Sequence, residues 1–180
     1  MKKIFDEVPF LENERIILRQ ITDADAPDIE NMVKSRIVYT YEPTYLFEHQ
    51  YTDVHEMIRN LYADCFTKKQ NLILGIILKE EQKLCGLAEF YGYIKKLHLV
   101  SIGYRLHKKY WGKGIASEAA RLMADYLFSQ TDIEIITAST MIENKASQHV
   151  LEKTGFQKTV SGIPEDWGFE EPIKADRWFL

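Results

Sequence analysis

The chain has 180 residues, of which 46% are hydrophobic and 12% aromatic, and its formal net charge is -4. A chain of this length can bury one well-filled core, so we expect a single domain over residues 1–180. The negative charge, without a long run of Lys or Arg, argues against a nucleic-acid partner. Acidic residues interrupt the N-terminal segment, which excludes a signal peptide or membrane span there, and we expect a cytoplasmic protein.

The cysteines and histidines favour neither a disulfide nor a metal site. Cys65 and Cys85 stand in apolar surroundings, far from any metal-ligand or redox spacing, so we expect two buried free thiols. The histidines never fall at i, i+4 beside a carboxylate, and we therefore assign no metal.

The first half of the chain predicts a strand, two helices and a hairpin. Residues 15–22 are rich in β-branched residues, which favours a strand, and Thr22 can cap the next helix with Asp25 as its capping-box acid. Residues 52–66 repeat apolar residues at helical spacing and predict an amphipathic helix across one face of a sheet. After residue 71, two apolar runs flank the charged turn KEEQK and predict a hairpin.

The second half alternates strands with helices. A strand is predicted over residues 97–106, and the next helix has two adjacent apolar lines with charged residues pointing outward. Residues 133–140 predict another strand, followed by a helix with Asn144 at its N-cap and Gly155 at its C-terminal end. The tail ADRWFL predicts a last strand. Hairpins followed by strand-helix pairs indicate an α/β sandwich on a largely antiparallel sheet.

A stretch of small residues, YWGKGIASEA at 110–119, joins a strand to a helix. A helix N-terminus carries unpaired N–H groups and partial positive charge, and Gly112 and Gly114 would leave that backbone accessible to a phosphate. The alternative is a tight turn that needs glycine for its dihedral angles alone. The P-loop pattern fails because Gly114 follows Lys113, and the dinucleotide pattern fails because Ser117 replaces the third glycine. The stretch therefore predicts a different ligand with a pyrophosphate.

The sequence resembles the GNAT acetyltransferase superfamily in two linked motifs, IGYRLHKKYWGKGIASEAARLMADYLF and IENKASQHVLEKTGF. It is most similar to the branch of ribosomal-protein N-terminal-alanine acetyltransferases, over about residues 15–180. The resemblance implies a mixed, largely antiparallel sheet with splayed central strands and helices on both faces. It also implies acetyl-CoA as cosubstrate and a primary amine, either a protein N-terminus or a small-molecule amine, as the acceptor that attacks directly. No membrane, nucleic acid or metal is implied, and a homodimer is left open.

The resemblance also implies where the coenzyme binds. Its pyrophosphate would lie on the amides of the glycine-containing loop, and its pantetheine arm would pair with the main chain of a strand. Asn144 would hydrogen-bond the pantetheine and Ser147 would reach the sulfur; ordinary helix capping is the alternative for both. Trp111 departs from the superfamily loop pattern. The implied cofactor-binding residues are Tyr104, Arg105, Leu106, Trp111, Gly112, Lys113, Gly114, Ile115, Ala116, Ser117, Asn144 and Ser147.

Acetyl transfer to an amine needs a base, an oxyanion donor and stabilisation of the departing thiolate. Glu89 is the predicted base, because it is a lone carboxylate within an apolar strand; the alternative is that strand alternation turns it to solvent. His98 and His107 are weaker candidates. Many members of the superfamily place a tyrosine acid where this chain has Leu151, which leaves Ser147 or water as the proton donor.

The acceptor side is the least defined by sequence. Residues 36–62 and the loop 164–169 hold tyrosines and acids that would attract a cationic amine, although a solvated surface is the alternative. Leu151 replaces the usual tyrosine, and Ser101 stands where the branch often carries glutamate. These two differences leave open a second hypothesis, that the protein is an acyl-CoA-binding module with weak turnover. A third hypothesis is a structural partner in a larger assembly that uses an aromatic surface. The residues of that surface would include Trp167, Phe169, Trp178 and Phe179.

Overall fold

An eight-stranded sheet runs through the computed structural model, which describes residues 3–42 and 48–180. In chain order its strands are β1 (Leu11–Glu12), β2 (Ile16–Arg19), β3 (Leu72–Leu78), β4 (Lys83–Ile94), β5 (Leu99–Leu106), β6 (Ile135–Met141), β7 (Gln157–Glu165) and β8 (Ile173–Phe179). Their order across the sheet is β1-β2-β3-β4-β5-β6-β8-β7. The pair β5 and β6 is parallel and the other neighbours are antiparallel.

Helices cover both faces of this sheet. They are α1 (Ala26–Val33), α2 (Val54–Met57), α3 (Ala63–Thr67), α4 (Ile115–Gln130) and α5 (Lys145–Lys153), with a π-helical turn at Ile58–Tyr62 between α2 and α3. The apolar sides of α4 and α5 pack in one cluster with β5 and β6. Residues of α1, α2 and the π-helical turn form a second cluster against β3 and β4. The predicted fold class, a largely antiparallel α/β sheet with helices on both faces, is confirmed.

Local signals in the sequence account for the best-predicted helix boundaries. Thr22 N–H donates to Asp25 Oδ2 at 2.8 Å, as expected for a capping box ahead of α1. Asn144 is the N-cap of α5, and Gly155, with φ +92°, follows its C-terminal end. The amphipathic helix predicted over residues 52–66 is present but is divided by the π-helical turn.

Some expectations about strands and side chains are wrong. The sequence analysis missed β1 and β7; β1 has two residues, and β7 is largely exposed and has irregular register with β8. Trp178 is 1% exposed and packs in the core, so it cannot belong to an aromatic surface. Both cysteines are free, but only Cys85 is buried, whereas Cys65 is partly exposed. Across residues 3–42 and 48–180, no helix has the length and hydropathy of a membrane span.

Candidate active site

The site forms where β5 and β6 separate. The two strands pair only over Leu99–Ser101 and Ile135–Thr137. On its other side, β5 stays paired with β4 as far as Leu106. The central strands therefore splay apart beyond Ser101, as the resemblance implies.

The backbone of β5 alternates between its two neighbours. The His107 N–H donates to the Cys85 carbonyl of β4 at 2.9 Å, so the odd-numbered residues direct their backbone groups to β4. The His98 carbonyl accepts from the Ile135 N–H at 3.1 Å, so the even-numbered residues face β6. Because β6 has diverged by that point, the backbone of Tyr104 faces the opened gap.

The three predicted strand contacts for pantetheine have different surroundings. Tyr104 presents its backbone to the gap. The Leu106 carbonyl faces the same way but already accepts from Trp111 Nε1 at 2.8 Å, a bond that fixes the start of the loop. Arg105 turns its backbone to β4, and its buried side chain forms an ion pair with Glu48. The pantetheine contacts of these residues remain predictions.

The ion pair of Arg105 and Glu48 sits in a buried polar cluster that the sequence did not reveal. The Glu48 carboxylate also accepts from the Tyr39 and Tyr62 hydroxyl groups, each at 2.7 Å. Burial, with the charge of Glu48, raises the pKa of Tyr62 well above its usual range, so its hydroxyl remains a donor. A buried charge is tolerated when it is paired and hydrogen-bonded in this way. The cluster ties Glu48, Tyr39 and Tyr62 to Arg105 of β5, the strand beside the gap.

The glycine-containing loop leads directly into α4. Gly112 and Gly114 have φ values of +72° and +80°, which glycine adopts without strain, so the turn does require glycine. An ideal Cβ built at Gly112 has no heavy atom within 4 Å, which leaves the backbone open to a ligand. The helical hydrogen-bond ladder begins with the Glu118 N–H, which donates to the Gly114 carbonyl at 3.1 Å. The preceding N–H groups, at the positive end of the helix dipole, suit an anion.

A side chain distant in sequence braces this loop. Arg15 Nη1 donates to the Lys113 carbonyl and to Glu118 Oε1, both at 2.8 Å. Asn13 Nδ2 donates to Glu118 Oε2 at 3.2 Å. Arg15 lies 98 residues before Lys113, so no local pattern could have indicated the contact.

The N-terminus of α5 carries the other predicted coenzyme residues. Asn144 Oδ1 accepts from the Ser147 N–H at 3.1 Å, so the expected helix cap is present. The Asn144 amide nitrogen can still donate to a ligand, so capping and coenzyme binding are compatible. Ser147 Oγ lies 3.0 Å from the Tyr104 hydroxyl oxygen. This side-chain contact was missed by the sequence analysis, which considered only the main chain of Tyr104.

A cavity of about 320 Å³ occupies the gap and reaches both faces of the sheet. Tyr104, Ser147 and Leu151 line it on the side where α5 packs. Glu89 and Gly103 line it on the opposite face, where the Glu89 carboxylate lies 3.8 Å from an ideal Cβ at Gly103. A ligand on one face can therefore meet a ligand on the other between the splayed strands.

Two carboxylates stand on the second face. Glu89 is partly buried and accepts from Asn71 Nδ2 at 2.6 Å, so it lies in the cavity rather than on the solvent-facing surface. Glu42 lines the same cavity. Burial and the nearby charge of Glu89 raise the pKa of the Glu42 carboxyl to about 8, although the charge of Arg105 acts to lower it. The sequence analysis placed Glu42 in its predicted acceptor segment without singling it out. Residues 43–47 of that segment lie outside the described residues.

The two histidine candidates stand elsewhere. His98 Nδ1 lies 2.8 Å from the Asp132 carbonyl oxygen, and His107 Nδ1 accepts from the Lys109 N–H at 3.2 Å. Neither is among the described residues that line the cavity. Their surroundings give no support to a role as base.

The loop 164–169, predicted to lie on the acceptor side, lines the cavity with Glu165, Asp166 and Trp167. Glu165 accepts from Ser139 Oγ at 3.2 Å, from Arg177 Nε at 3.1 Å and from Trp167 Nε1 at 3.0 Å. These bonds hold the Trp167 ring beside the cavity, which Asp166 also lines. No group of three metal-ligating side chains occurs in the part of the chain that the structure describes.

Comparisons with known proteins identify the family of the chain. A model of the acetyltransferase (GNAT) domain matches residues 15–157. YoaA, an uncharacterized N-acetyltransferase of Bacillus subtilis (strain 168), is 33% identical over 152 residues, which are 83% of this chain and 84% of the relative. The ribosomal protein uS5-alanine N-acetyltransferase of Escherichia coli (strain K12) is 24% identical over 160 residues, 87% of this chain and 81% of that one.

A solved structure supports the fold. The crystal structure of spermidine N-acetyltransferase from Vibrio cholerae, in complex with CoA and spermine, matches with a TM-score of 0.75 and 20% identity, over 93% of this chain and 96% of that chain. Identity at that level shows a shared architecture. The domain match and the similarity to YoaA show more: the chain belongs to the GNAT acetyltransferase family and is an acetyl-CoA-dependent acyltransferase.

Proposed function

We propose that this protein transfers an acetyl group from acetyl-CoA to a primary amine by direct attack inside the cavity, without a covalent enzyme intermediate. The observation that carries the proposal is the passage between β5 and β6. Ser147 stands at its α5 face and Glu89 at its opposite face, and both line one cavity. An acyl donor and an acceptor that enter from different faces would meet there, which is the arrangement that a direct transfer needs.

The coenzyme would occupy the side of α4 and α5. Its pyrophosphate would rest on the amides of residues 112–117, where the positive φ of Gly112 and Gly114 supports an open backbone. Tyr104 would offer its main chain to the pantetheine, and Asn144 its amide nitrogen. When bound, acetyl-CoA supplies the activated acetyl group.

Glu89 would accept the proton that the attacking amine loses. A peptide α-amine, with a pKa of about 7.7–8.0, requires less of a base than a lysine-like amine near ~10.4. Asn71 fixes the orientation of the Glu89 carboxylate, and the raised pKa of Glu42 keeps that second carboxyl largely protonated near neutral pH. We therefore give the role of base to Glu89 and a supporting role to Glu42.

The acceptor is a protein N-terminus or a small-molecule amine. The Glu89 carboxylate on the second face favours a cationic substrate of either kind, since Glu42 is largely protonated there. One relative is a ribosomal-protein alanine N-acetyltransferase, and one structural neighbour is a spermidine N-acetyltransferase, so primary amines of both classes belong in the test.

The test is acetyl-CoA-dependent release of free thiol, followed with a thiol reagent against N-terminal peptides, polyamines, aminoglycosides and free amino acids. A clear hit with any amine supports the proposal and gives the acceptor class. Binding of acetyl-CoA with no thiol release across the panel would instead support a weakly active acyl-CoA-binding module. The apolar Leu151 in the cavity is the observation that favours this second candidate.

Three broader expectations accompany the proposal. The cytoplasmic location, the homodimer and the lack of a nucleic-acid partner all stay predictions. Sedimentation of the purified protein tests the dimer, because a concentration-independent monomer mass would contradict it.

A further inference from the structure

Two hydroxyl groups meet on the α5 face of the cavity. The Tyr104 hydroxyl oxygen lies 3.0 Å from Ser147 Oγ and 3.4 Å from the Ser147 carbonyl oxygen. Both side chains are partly buried and line the cavity. Leu151 lies one turn further along α5 and also lines it, but its side chain cannot hydrogen-bond. The hydroxyl pair therefore supplies hydrogen bonds beside an apolar wall.

The direction of the bond between the hydroxyl groups follows from their chemistry. Either hydroxyl group could donate in this pair, but the Ser147 carbonyl oxygen, 3.4 Å away, can only accept. Because a phenol is also more acidic than an aliphatic alcohol, we assign Tyr104 as the donor and Ser147 Oγ as the acceptor. Burial raises the pKa of Tyr104 well above its usual range, so the hydroxyl keeps its proton near neutral pH. The thiolate of a thiol with a pKa near ~8.5 cannot remove that proton. Tyr104 is thus a fixed donor and not an acid.

This bond orients the second hydroxyl group. Ser147 has one hydroxyl proton and two lone pairs, and the bond from Tyr104 occupies one lone pair. With Tyr104 as the donor, the Ser147 hydroxyl proton points away from Tyr104. The cap by Asn144 Oδ1 fixes the backbone of the same residue, so the Ser147 side chain is held from two directions. Its proton is available to an acceptor in the cavity.

We propose that Tyr104 is a positioning residue that holds the Ser147 hydroxyl so that its proton faces the sulfur of the coenzyme. This inference rests on the proposed function. As the amine nitrogen bonds to the acetyl carbon, the carbon–sulfur bond breaks and its electron pair leaves on sulfur. Ser147 donates a hydrogen bond to that thiolate. The proton lost by the amine passes through Glu89 and water, and a water proton completes the CoA thiol.

The experiment measures the pKa of the CoA thiol in the protein complex, so it needs no knowledge of the acceptor. Thiolate absorbance is titrated for CoA bound to wild type, Tyr104→Phe, Ser147→Ala and the double variant. The complex with desulfo-CoA gives the blank, and it removes the contribution of the protein's own thiols. Desulfo-CoA affinity and Tm show that each variant is folded. Tyr91→Phe is the matched control, because Tyr91 lines the same cavity on the opposite strand face.

We expect the wild-type complex to lower the thiol pKa relative to free CoA. Tyr104→Phe should abolish at least half of that shift and Ser147→Ala all of it, and the double variant should match Ser147→Ala because Tyr104 acts through Ser147. Tyr91→Phe should leave the shift intact. A thiol pKa unchanged by Tyr104→Phe, or additive effects in the double variant, would overturn this inference alone. Failure of CoA to bind would overturn the proposed function together with it.

Discussion

The side of the cavity proposed for the coenzyme and the side proposed for the acceptor are built differently. On the proposed coenzyme side, two of the features that shape the site are local in the chain: the loop at 110–119 runs straight into α4, and Asn144 caps Ser147 three residues later. On the acceptor side, Glu89 is held by Asn71, 18 residues away, and Arg105 reaches Glu48 across 57 residues. The loop and the cap can therefore be predicted from short motifs, whereas the contacts of Glu89 and Glu48 are products of tertiary packing. The contacts of Arg15 and Tyr104 on the proposed coenzyme side depend on tertiary packing in the same way.

The two sides also differ in charge. The loop before α4 carries Lys108, Lys109 and Lys113 beside the positive end of the helix dipole, which suits an anionic coenzyme. The proposed acceptor side holds the Glu89 carboxylate, which suits a cationic amine, whereas Glu42 stays largely protonated near neutral pH. If this division is correct, variants on one side should alter binding of acetyl-CoA, and variants on the other should alter turnover.

The largest expected effect is on turnover. Glu89→Gln keeps the shape of the side chain but cannot accept a proton, so we expect turnover to fall about 100-fold or more. Acetyl-CoA affinity, measured by calorimetry on the same preparation, should remain within about twofold of wild type. Replacement of the exposed Glu143 by Gln is the control. Full activity of Glu89→Gln would reduce Glu89 to a structural role.

Gly114→Val should produce the next largest effect, which is a loss of affinity for acetyl-CoA. Gly114 has φ +80°, so a branched side chain adds about 1–3 kcal/mol of backbone strain to the loop proposed to bind the pyrophosphate. We expect acetyl-CoA to bind at least about tenfold more weakly, by calorimetry. Gly162→Val is matched to it, because Gly162 has φ +67° and lies in β7. Equal losses of affinity in both variants would show strain without a specific loop contact.

Arg15→Ala should have a smaller effect, since it removes the side chain that joins the residue just before β2 to the glycine-containing loop. The variant removes the hydrogen bonds to the Lys113 carbonyl and Glu118, so the KM for acetyl-CoA should rise about threefold to tenfold with kcat little changed. Arg59→Ala, at an exposed arginine on the other side of the molecule's sheet, should leave KM unchanged. A fall in kcat alone would contradict the assignment of Arg15 to the coenzyme side.

The smallest effect concerns stability and pH. The folded pKa of Glu42, about 8, exceeds the unfolded value near ~4.3, so the folded state binds more protons between these pH values. The free energy of unfolding should therefore fall as the pH rises through this window. Glu42→Gln removes this titrating carboxyl. Between pH 5 and pH 8, the Tm of the variant should therefore decrease by a few degrees less than the Tm of the wild type. An identical pH dependence in both proteins would contradict the raised pKa.

Particular residues show how much of this could be predicted from sequence. The periodic apolar lines of α4 and the cap and glycine of α5 predict both helices, because these signals lie within one or two turns of chain. By contrast, β7 is mostly exposed and irregular, so it lacks the alternation that reveals a strand. Glu89 could be selected because a lone carboxylate interrupts an apolar strand. The hydroxyl contact of Tyr104 spans 43 residues and depends on how α5 packs against β5.

Amide hydrogen exchange of the wild-type protein, with and without acetyl-CoA, shows directly whether the coenzyme binds the glycine-containing loop and β5. We predict new protection at the amides of residues 112–117 and at Tyr104, where the loop and the edge of β5 would bind the coenzyme. Protection confined to the segments of α1, α2 and α3, or no change at residues 112–117 under conditions where acetyl-CoA binds, would contradict this prediction.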